Sequence, residues 1–295
     1  MNELTIEQLA ARTGEVLEAA PGQRMLHRRA VSATGWFQAD PVAAQLSSSA
    51  MLGGDAIPVT ARFSGTRGGA HDARTGDQGV SVRFSPPAAP PTDLIAFTLP
   101  VFFVRTAADM LEFLEAGAAG PQAMAEFRAR HPEADAALAA AGERAPTSYL
   151  GQRYHAVHAF GLADAHGETA WARLQWEPDT LVDPLDVDAA AARSADYLTT
   201  DLTDRLPAGL TLYARLPRED DPLHDPTAPW SDPPRLVRLG RMNLETRTAE
   251  CDLDFDPLRL APGIAAPLDA LAADRSRFYR AARALRQTIK ETQPQ

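Results

Sequence analysis

The last predicted helix carries the residues whose types and spacing most strongly suggest chemistry. Within residues 267–290, Arg275, Tyr279 and Arg286 stand at positions i, i+4 and i+11. On a helix these positions fall at about 0°, 40° and 20° around the axis, so a phenol lies between two guanidinium groups. A cation beside a phenol favours the phenolate, and a phenolate can bind ferric iron as an axial haem ligand. The alternative is a solvent-facing, arginine-rich helix with a half-buried tyrosine.

Other chemical motifs are few. The sequence contains no phosphate loop, dinucleotide fingerprint or zinc-protease helix motif. The glycine-rich segment 65–71 follows a predicted strand, but no helical pattern follows it, so we interpret it as a flexible connection. His155 and His158 are expected on opposite faces of a strand, which disfavours a shared metal. Cys251 is the only cysteine, which excludes an internal disulfide and a cysteine-based zinc site.

Composition narrows the class of protein. The chain has 295 residues, of which 45% are hydrophobic and 23% charged, as in soluble globular proteins. The formal net charge of −10 disfavours a basic face for nucleic acid. The sequence has neither an apolar run long enough to span a bilayer nor a secretory signal pattern. We therefore expect a cytoplasmic protein without a membrane span or a nucleic-acid partner.

The elements that must position the C-terminal helix follow an α+β pattern. Thr5 and Gln8 have capping-box spacing at the start of a predicted helix over residues 5–19. Residues 106–143 and 187–205 are also predicted to be helical, with breaks at 120–121 and 131–132 in the first of these segments. Alternating or apolar runs predict strands, with hairpins at 154–162 with 168–176 and at 236–244 with 248–255; the other strands are 57–63, 79–84, 93–99 and 210–216. Such an antiparallel sheet is long enough to close as a barrel.

Five groups of short segments, in consistent order from residue 24 to 286, resemble the catalase family. The first and last groups carry the segment Arg24-Met25-Leu26-His27 and the segment Arg275-Ser276-Arg277-Phe278-Tyr279. The matching segments are 24–27 with 35–37, 58–64, 93–95 with 100–105, 256–257 with 261–264, and 275–279. The chain is much shorter than ordinary catalases and is most similar to the small catalase-related haem peroxidases. The resemblance implies one domain over 1–295, with a core at about 24–286, an N-terminal helix within 1–20, and an eight-stranded antiparallel barrel with helical insertions.

The resemblance also implies a haem b cofactor and a set of site residues. Tyr279 would be the axial iron ligand, Arg275 its charge partner and His27 the distal acid–base. Ser64 would orient His27. Arg24, Arg62 and Arg286 match the arginines that hold the haem propionates, and Phe102 and Phe103 match aromatic residues that line the distal cavity.

Two positions depart from the family pattern. The asparagine that helps the distal histidine to polarise peroxide falls at Phe97, or beside it at Thr98, which we take as a candidate catalytic position. The phenylalanine that stacks on haem falls at Met110. Loss of the asparagine is expected to weaken disproportionation most, because that step needs a second peroxide held between two side chains. Proton transfer by His27 alone still suffices for peroxide cleavage.

The sequence therefore predicts a haem peroxidase that uses hydrogen peroxide or an organic hydroperoxide to oxidise a small organic donor, with weak catalase activity. A hydroperoxide isomerase or dehydratase, or a biosynthetic haem enzyme, is the alternative on the same fold. A non-enzymatic haem-binding or haem-sensing barrel, or an apo β-barrel binding module, represents another class. We expect a monomer or homodimer, because the arms that interlock large catalases are missing from this chain.

Overall fold

Eight strands form an antiparallel sheet that closes on itself. The computed structural model describes residues 4–20, 22–66, 69–74, 76–141 and 145–292. The strands are β1 (Ala30–Ala39), β2 (Ile57–Gly65), β3 (Gln78–Phe84), β4 (Thr92–Phe97), β5 (Tyr154–Ala163), β6 (Thr169–Pro178), β7 (Ala208–Leu216) and β8 (Arg235–Thr248). They are ordered β4-β3-β2-β1-β8-β7-β6-β5, and the pairing of Phe97 with His155 joins β4 to β5. A two-residue strand, β9 (Ile264–Ala265), pairs with β5. The predicted eight-stranded barrel is confirmed.

Large apolar side chains fill the barrel. Phe37, Phe63, Phe84 and Trp176 are fully buried, and the Phe84 and Trp176 rings stack at 6.2 Å between centroids. Burying one such side chain contributes roughly 1.5–3 kcal/mol. The alternation of buried and less buried positions along β2 and β3 follows from the two-residue period of a strand. The same period points other side chains of these strands, such as Arg62, towards the neighbouring cavity.

Helices cover the barrel and connect its halves. They are α1 (Ile6–Val16), α2 (Ala43–Leu46), α3 (Ala107–Ala119), α4 (Pro121–Arg130), α5 (Pro132–Ala141), α6 (Val187–Ala191), α7 (Tyr197–Arg205) and α8 (Ala270–Thr292). The predicted capping box of Thr5 and Gln8 is present at the start of α1. α3 ends before Gly120, whose φ of 111° suits glycine, and Pro121 begins α4. α8 packs against α1 and α3.

One predicted hairpin is wrong. The segments 236–244 and 248–255 were expected to pair, but β8 is a single strand of 14 residues that pairs with β1 and β7. Residues beyond Thr248 leave the sheet because their backbone groups find side-chain partners instead. Cys251 N donates to Ser32 Oγ at 3.0 Å, and the Leu253 carbonyl accepts from Arg24 Nη2 at 2.8 Å. The chain therefore runs from β8 along the edge of the cavity.

Several sequence predictions need only small adjustments. The predicted helix over 187–205 is divided into α6 and α7, and the predicted C-terminal helix begins at Ala270. The described residues include no helix long and apolar enough to cross a membrane. Residues 67–68 of the glycine-rich segment, 142–143 of the predicted helical insert and 1–3 of the N-terminal region lie outside the described residues.

Candidate functional site

One cavity brings the predicted site residues together. It has a volume of about 230 Å³ and lies between the strand β2–β4 region of the barrel and α8, with α3 at its side. The predicted residues that line it are Arg24, His27, Arg62, Ser64, Phe102, Phe103, Met110, Arg275, Tyr279 and Arg286. Of the predicted site residues, Thr98 alone does not line it. Segments distant in sequence thus meet at one place.

Tyr279 and Arg275 form the α8 side of the cavity. They lie one helical turn apart, and Arg275 Nη2 donates to Tyr279 Oη at 3.1 Å. Arg275 is buried, whereas Tyr279 is partly buried and lines the cavity. This contact between a guanidinium and the phenol oxygen is the one that the spacing on the helix predicts.

A buried network continues from Arg275 into the barrel. Arg275 Nη1 lies 2.7 Å from His158 Nε2, and His158 Nδ1 lies 2.9 Å from Asp269 Oδ2. Because a guanidinium only donates hydrogen bonds, Nε2 must accept, so the ring proton sits on Nδ1 and is donated to Asp269. Burial lowers the pKa of His158, which keeps the ring neutral in this role. Asp269 also accepts from Ala272 N at 3.0 Å and so holds the first turn of α8.

Sequence reasoning missed both His158 and Asp269. His158 was considered only together with His155 as a possible metal pair. Asp269 stands just before α8, a position typical of a helix cap. No sequence signal pairs two residues 111 positions apart. Only the fold brings β5 to the start of α8.

His27 faces the cavity from the segment before β1. Its backbone has a φ of 54°, and its Nδ1 lies 2.9 Å from Ser64 Oγ. Arg62 Nη2 donates to the His27 carbonyl at 2.7 Å and so fixes the strained backbone. A Cβ at Gly79 would lie 3.2 Å from His27 Cε1, so glycine gives the imidazole its space. The predicted contact between His27 and Ser64 is present.

Burial and nearby cations keep His27 neutral. Burial lowers the pKa of His27 to about 3, with further contributions from the charges of Arg62, Arg275 and Arg24. The ring therefore carries one proton at neutral pH. When Nδ1–H is directed at Ser64, the other ring nitrogen, Nε2, is free to accept a proton within the cavity.

Thr98 contacts Asp77, a residue that the sequence analysis did not single out. Its Oγ1 donates to Asp77 Oδ1, and Gln78 N donates to Thr98 Oγ1 at 3.1 Å. Asp77 lines the cavity, and Leu99 N donates to its Oδ1 at 3.0 Å. Burial nevertheless raises the pKa of Asp77 to about 7. The cavity thus contains a carboxyl group poised to change charge near neutral pH, and a catalytic role for Thr98 itself stays a prediction.

Phe97 joins the two sides of the cavity. Its ring centroid lies 5.9 Å from that of His27, and Arg275 Cζ lies 5.2 Å from the Phe97 centroid and 5.1 Å from that of Phe102. Phe102 stacks on Phe103 at 5.2 Å. The Phe97 ring thus lies between the imidazole of His27 and the guanidinium of Arg275.

Three arginines line the edge of the cavity. Arg24, Arg62 and Arg286 come from three distant segments but lie close enough that Arg62 and Arg286, after burial, contribute to lowering the pKa of Arg24 to about 10. Arg283 also lines the cavity, and its Nη1 lies 3.6 Å from Asp254 Oδ1 in an ion pair. Such a cluster can bind a ligand with more than one carboxylate.

The chemistry of the donor set fits a haem. A phenol that accepts from a guanidinium, a neutral imidazole and a cluster of arginines line the same cavity. Tyrosine oxygen is an established axial ligand of haem iron, and fork-shaped guanidinium groups suit propionates. The lining between these polar groups is apolar, as a porphyrin requires.

Asp109, Glu112 and His131 form a separate group of possible metal ligands, whose donor atoms lie within 4.8 Å of one another. Glu112 already pairs with Arg130 and lies 3.2 Å from His131 Nε2. Glu112 therefore already has a cationic partner in Arg130. We therefore interpret it as an ion-paired surface cluster.

Comparisons with known proteins point to a single family. The catalase family model matches residues 6–293. A catalase-related peroxidase from Mycolicibacterium paratuberculosis is 29% identical over 91% of this chain and 90% of that protein, and one from Synechococcus elongatus is 28% identical over 88% and 81%. A crystal structure of a fungal catalase superposes with a TM-score of 0.81 at 20% identity, covering 99% of this chain and 66% of that one. The chain thus spans about two thirds of that larger structure.

Proposed function

The chain belongs to the catalase family, and on that premise we propose that it is a haem-dependent peroxidase. It uses hydrogen peroxide or an organic hydroperoxide to oxidise a small organic donor. The proposal includes haem b as cofactor, one domain over 1–295, a monomer or homodimer and a cytoplasmic location. The observation that carries it is the single cavity lined by both Tyr279, with its Arg275 partner, and His27, with Ser64.

Residues from α8, from β2 and from the segment before β1 would hold the cofactor. Tyr279 would bind the iron, and Arg24, Arg62 and Arg286 would bind the propionates. Haem, when bound, would supply the chemistry that cleaves the peroxide O–O bond and oxidises the donor. Arg275 donates a hydrogen bond to the Tyr279 oxygen, and the buried pair of His158 and Asp269 holds Arg275 in place.

His27 would transfer the proton between the two oxygens of the peroxide. Because its pKa is about 3, it is neutral at pH 7 and can accept a proton at Nε2 from one peroxide oxygen. It then returns that proton to the leaving oxygen. Ser64 keeps the ring in the orientation that this transfer needs. The apolar residues around His27 limit the access of water.

Phe97 accounts for the weak catalase activity in this proposal. A phenyl ring has no hydrogen-bond donor, so a second peroxide is held by His27 alone. Oxidation of an organic donor does not need that second peroxide. The balance therefore shifts from disproportionation to peroxidase activity.

The apolar lining favours one second candidate. Ile95, Leu99 and Phe103 line the cavity near Phe97 and suit an organic hydroperoxide better than hydrogen peroxide. Rearrangement or dehydration of such a hydroperoxide needs no external donor. It differs from peroxidase activity in that turnover continues when the donor is left out.

Steady-state turnover of the purified, haem-loaded protein tests the proposal. Hydrogen peroxide and a bulky hydroperoxide are compared with and without a phenolic donor. Donor-dependent consumption supports a peroxidase, and donor-independent consumption of the bulky substrate supports the isomerase or dehydratase. His27→Ala is expected to lose at least about a hundredfold in turnover with haem content retained, whereas His166→Ala, a control in the exposed β5–β6 turn, is expected to change nothing. Full turnover in His27→Ala would exclude the acid–base role.

A further inference from the structure

The segment that follows β8 places carboxylates against the arginines at the cavity edge. Glu250 Oε1 accepts from Arg62 Nε at 3.1 Å and also from Arg62 Nη2. It lies 3.6 Å from Arg24 Nε. Asp252 Oδ1 lies 2.9 Å from Arg286 Nη2. All three arginines assigned to the propionates therefore already face a carboxylate of this chain.

Glu250 occupies the two donors of Arg62 that are best placed to bind a carboxylate. Nε and Nη2 form the edge of a guanidinium that binds a carboxylate with two parallel hydrogen bonds. Glu250 lies on this edge, and Nη2 also donates to the His27 carbonyl. The Arg62 side chain is only 4% exposed and cannot easily turn to offer another edge. A second carboxylate at Arg62 is left with the donors of Nη1.

The charge balance points the same way. Arg283 is paired with Asp254, and the three other guanidinium groups next to two carboxylates leave one net positive charge at the cavity edge. A haem carries two propionates, so the net positive charge at the cavity edge is smaller than the negative charge of the ligand that the arginines would attract. Glu250 is 40% exposed, whereas Arg62 is buried, so the carboxylate enters from the solvent side.

We propose that Glu250 is an internal competitor of the haem propionates, which lowers haem retention below what the arginine cluster alone would provide. The inference rests on the proposed haem site. It assigns Glu250 a role in cofactor affinity and exchange and none in the reaction. Removal of its charge weakens the contact with two donors of Arg62, because a neutral amide oxygen accepts less strongly than a carboxylate, and it leaves the hydrogen bond from Arg62 to His27 in place.

The test is haem dissociation from the ferric protein into excess apomyoglobin, followed by absorbance at fixed pH and ionic strength. Glu250→Gln keeps the shape of the side chain and removes its charge, and it is expected to release haem about three- to tenfold more slowly than the native chain. Glu168→Gln makes the same chemical change in the exposed β5–β6 turn and is expected to leave the rate unchanged. Glu250→Asp keeps the charge but shortens the side chain by one methylene, and it is expected to lie between the native chain and Glu250→Gln.

An unchanged or faster rate in Glu250→Gln would overturn the inference, because Glu250 would then position Arg62 for the propionate. If Glu250→Gln fails to fold by circular dichroism, the comparison of native and Glu250→Asp decides with the same criterion. If the native chain takes up haem and both variants release haem at the native rate, only the competitor role is contradicted. A native chain that takes up no haem contradicts the proposed function itself and the inference with it.

Discussion

His158 and Asp269 form a buried hydrogen-bonded pair, with 2.9 Å between Nδ1 and Oδ2, behind the arginine that contacts Tyr279. The pair links β5 to the start of α8. It fixes which nitrogen of His158 carries the proton, and therefore which nitrogen accepts from Arg275. The position of the proposed iron ligand thus depends on a carboxylate that contacts neither the tyrosine nor the cavity.

The first prediction concerns this carboxylate. Asp269→Asn can present its amide to His158 and reverse the proton arrangement, so the His158 nitrogen facing Arg275 would carry a proton instead of accepting one. We expect the haem-free protein to lose about 1.5–3 kcal/mol in its free energy of unfolding, and the haem-loaded protein to change its tyrosinate absorption band. Urea unfolding and absorbance measure these changes. Asp274→Asn, in an exposed ion pair with Arg277, is the control. Equal stability of the two variants would contradict the role of the buried pair.

The second prediction concerns Asp77, whose pKa near 7 lies within the working range of most enzymes. Because this pKa is raised, Asp77 is neutral below pH 7 and becomes negative above it. The KM for a hydroperoxide that bears a carboxylate is expected to rise about three- to tenfold between pH 6 and 8, since like charges repel. The KM for an uncharged hydroperoxide is expected to stay constant. Asp77→Asn is expected to abolish the rise, and its persistence in that variant would assign the pH dependence elsewhere.

The third prediction concerns Phe97. Phe97→Asn introduces a hydrogen-bond donor beside His27, so the rate of hydrogen peroxide disproportionation is expected to rise at least about tenfold. Oxygen release measures this rate. Phe97→Ala enlarges the cavity without adding a donor and separates the two effects. If Phe97→Ala gains as much as Phe97→Asn, the ring limits catalase activity through space alone.

The fourth prediction follows from the neutral state of His27. Its pKa is lowered from 6.5 to about 3, so the unfolded chain binds a proton more readily than the folded one over this range. This contribution to stability is complete above pH 6.5 and is lost as the pH falls towards 3, at no more than about 1.4 kcal/mol per pH unit. His27→Gln is expected to show a shallower decline of the unfolding free energy between pH 6.5 and 4. Parallel curves for the native protein and the variant would show that His27 is not buried as a neutral ring.

The sequence was sufficient where local pattern determines structure. The helical spacing of Arg275 and Tyr279 predicts their contact, and Thr5 and Gly120 mark helix boundaries through capping and backbone freedom. The resemblance to catalases supplied the residues on the opposite side, including His27. These signals are local or follow the order of the chain, so they are visible in the sequence without the structure.

What could not be predicted depends on long-range proximity. Asp77 is an ordinary polar loop residue in the sequence, and only burial in the fold raises its pKa. Glu250 was placed in a second hairpin, because residues 248–255 alternate like a strand. In the structure, hydrogen bonds to Ser32 and Arg24 draw this segment away from the sheet and towards the arginines. Such competition between backbone and side-chain partners is not visible in local periodicity.

The closure of the barrel also determines where it opens first. β4 and β5 are joined through the single pair Phe97 and His155, whereas β7 and β8 pair along nine positions. Local unfolding starts where few backbone hydrogen bonds must break. Amide protons along the β4–β5 seam are therefore expected to exchange with deuterium faster than those between β7 and β8. The β4–β5 seam, which includes Phe97, would then open locally while the rest of the barrel stays closed. A rigid, flat molecule could enter at this seam.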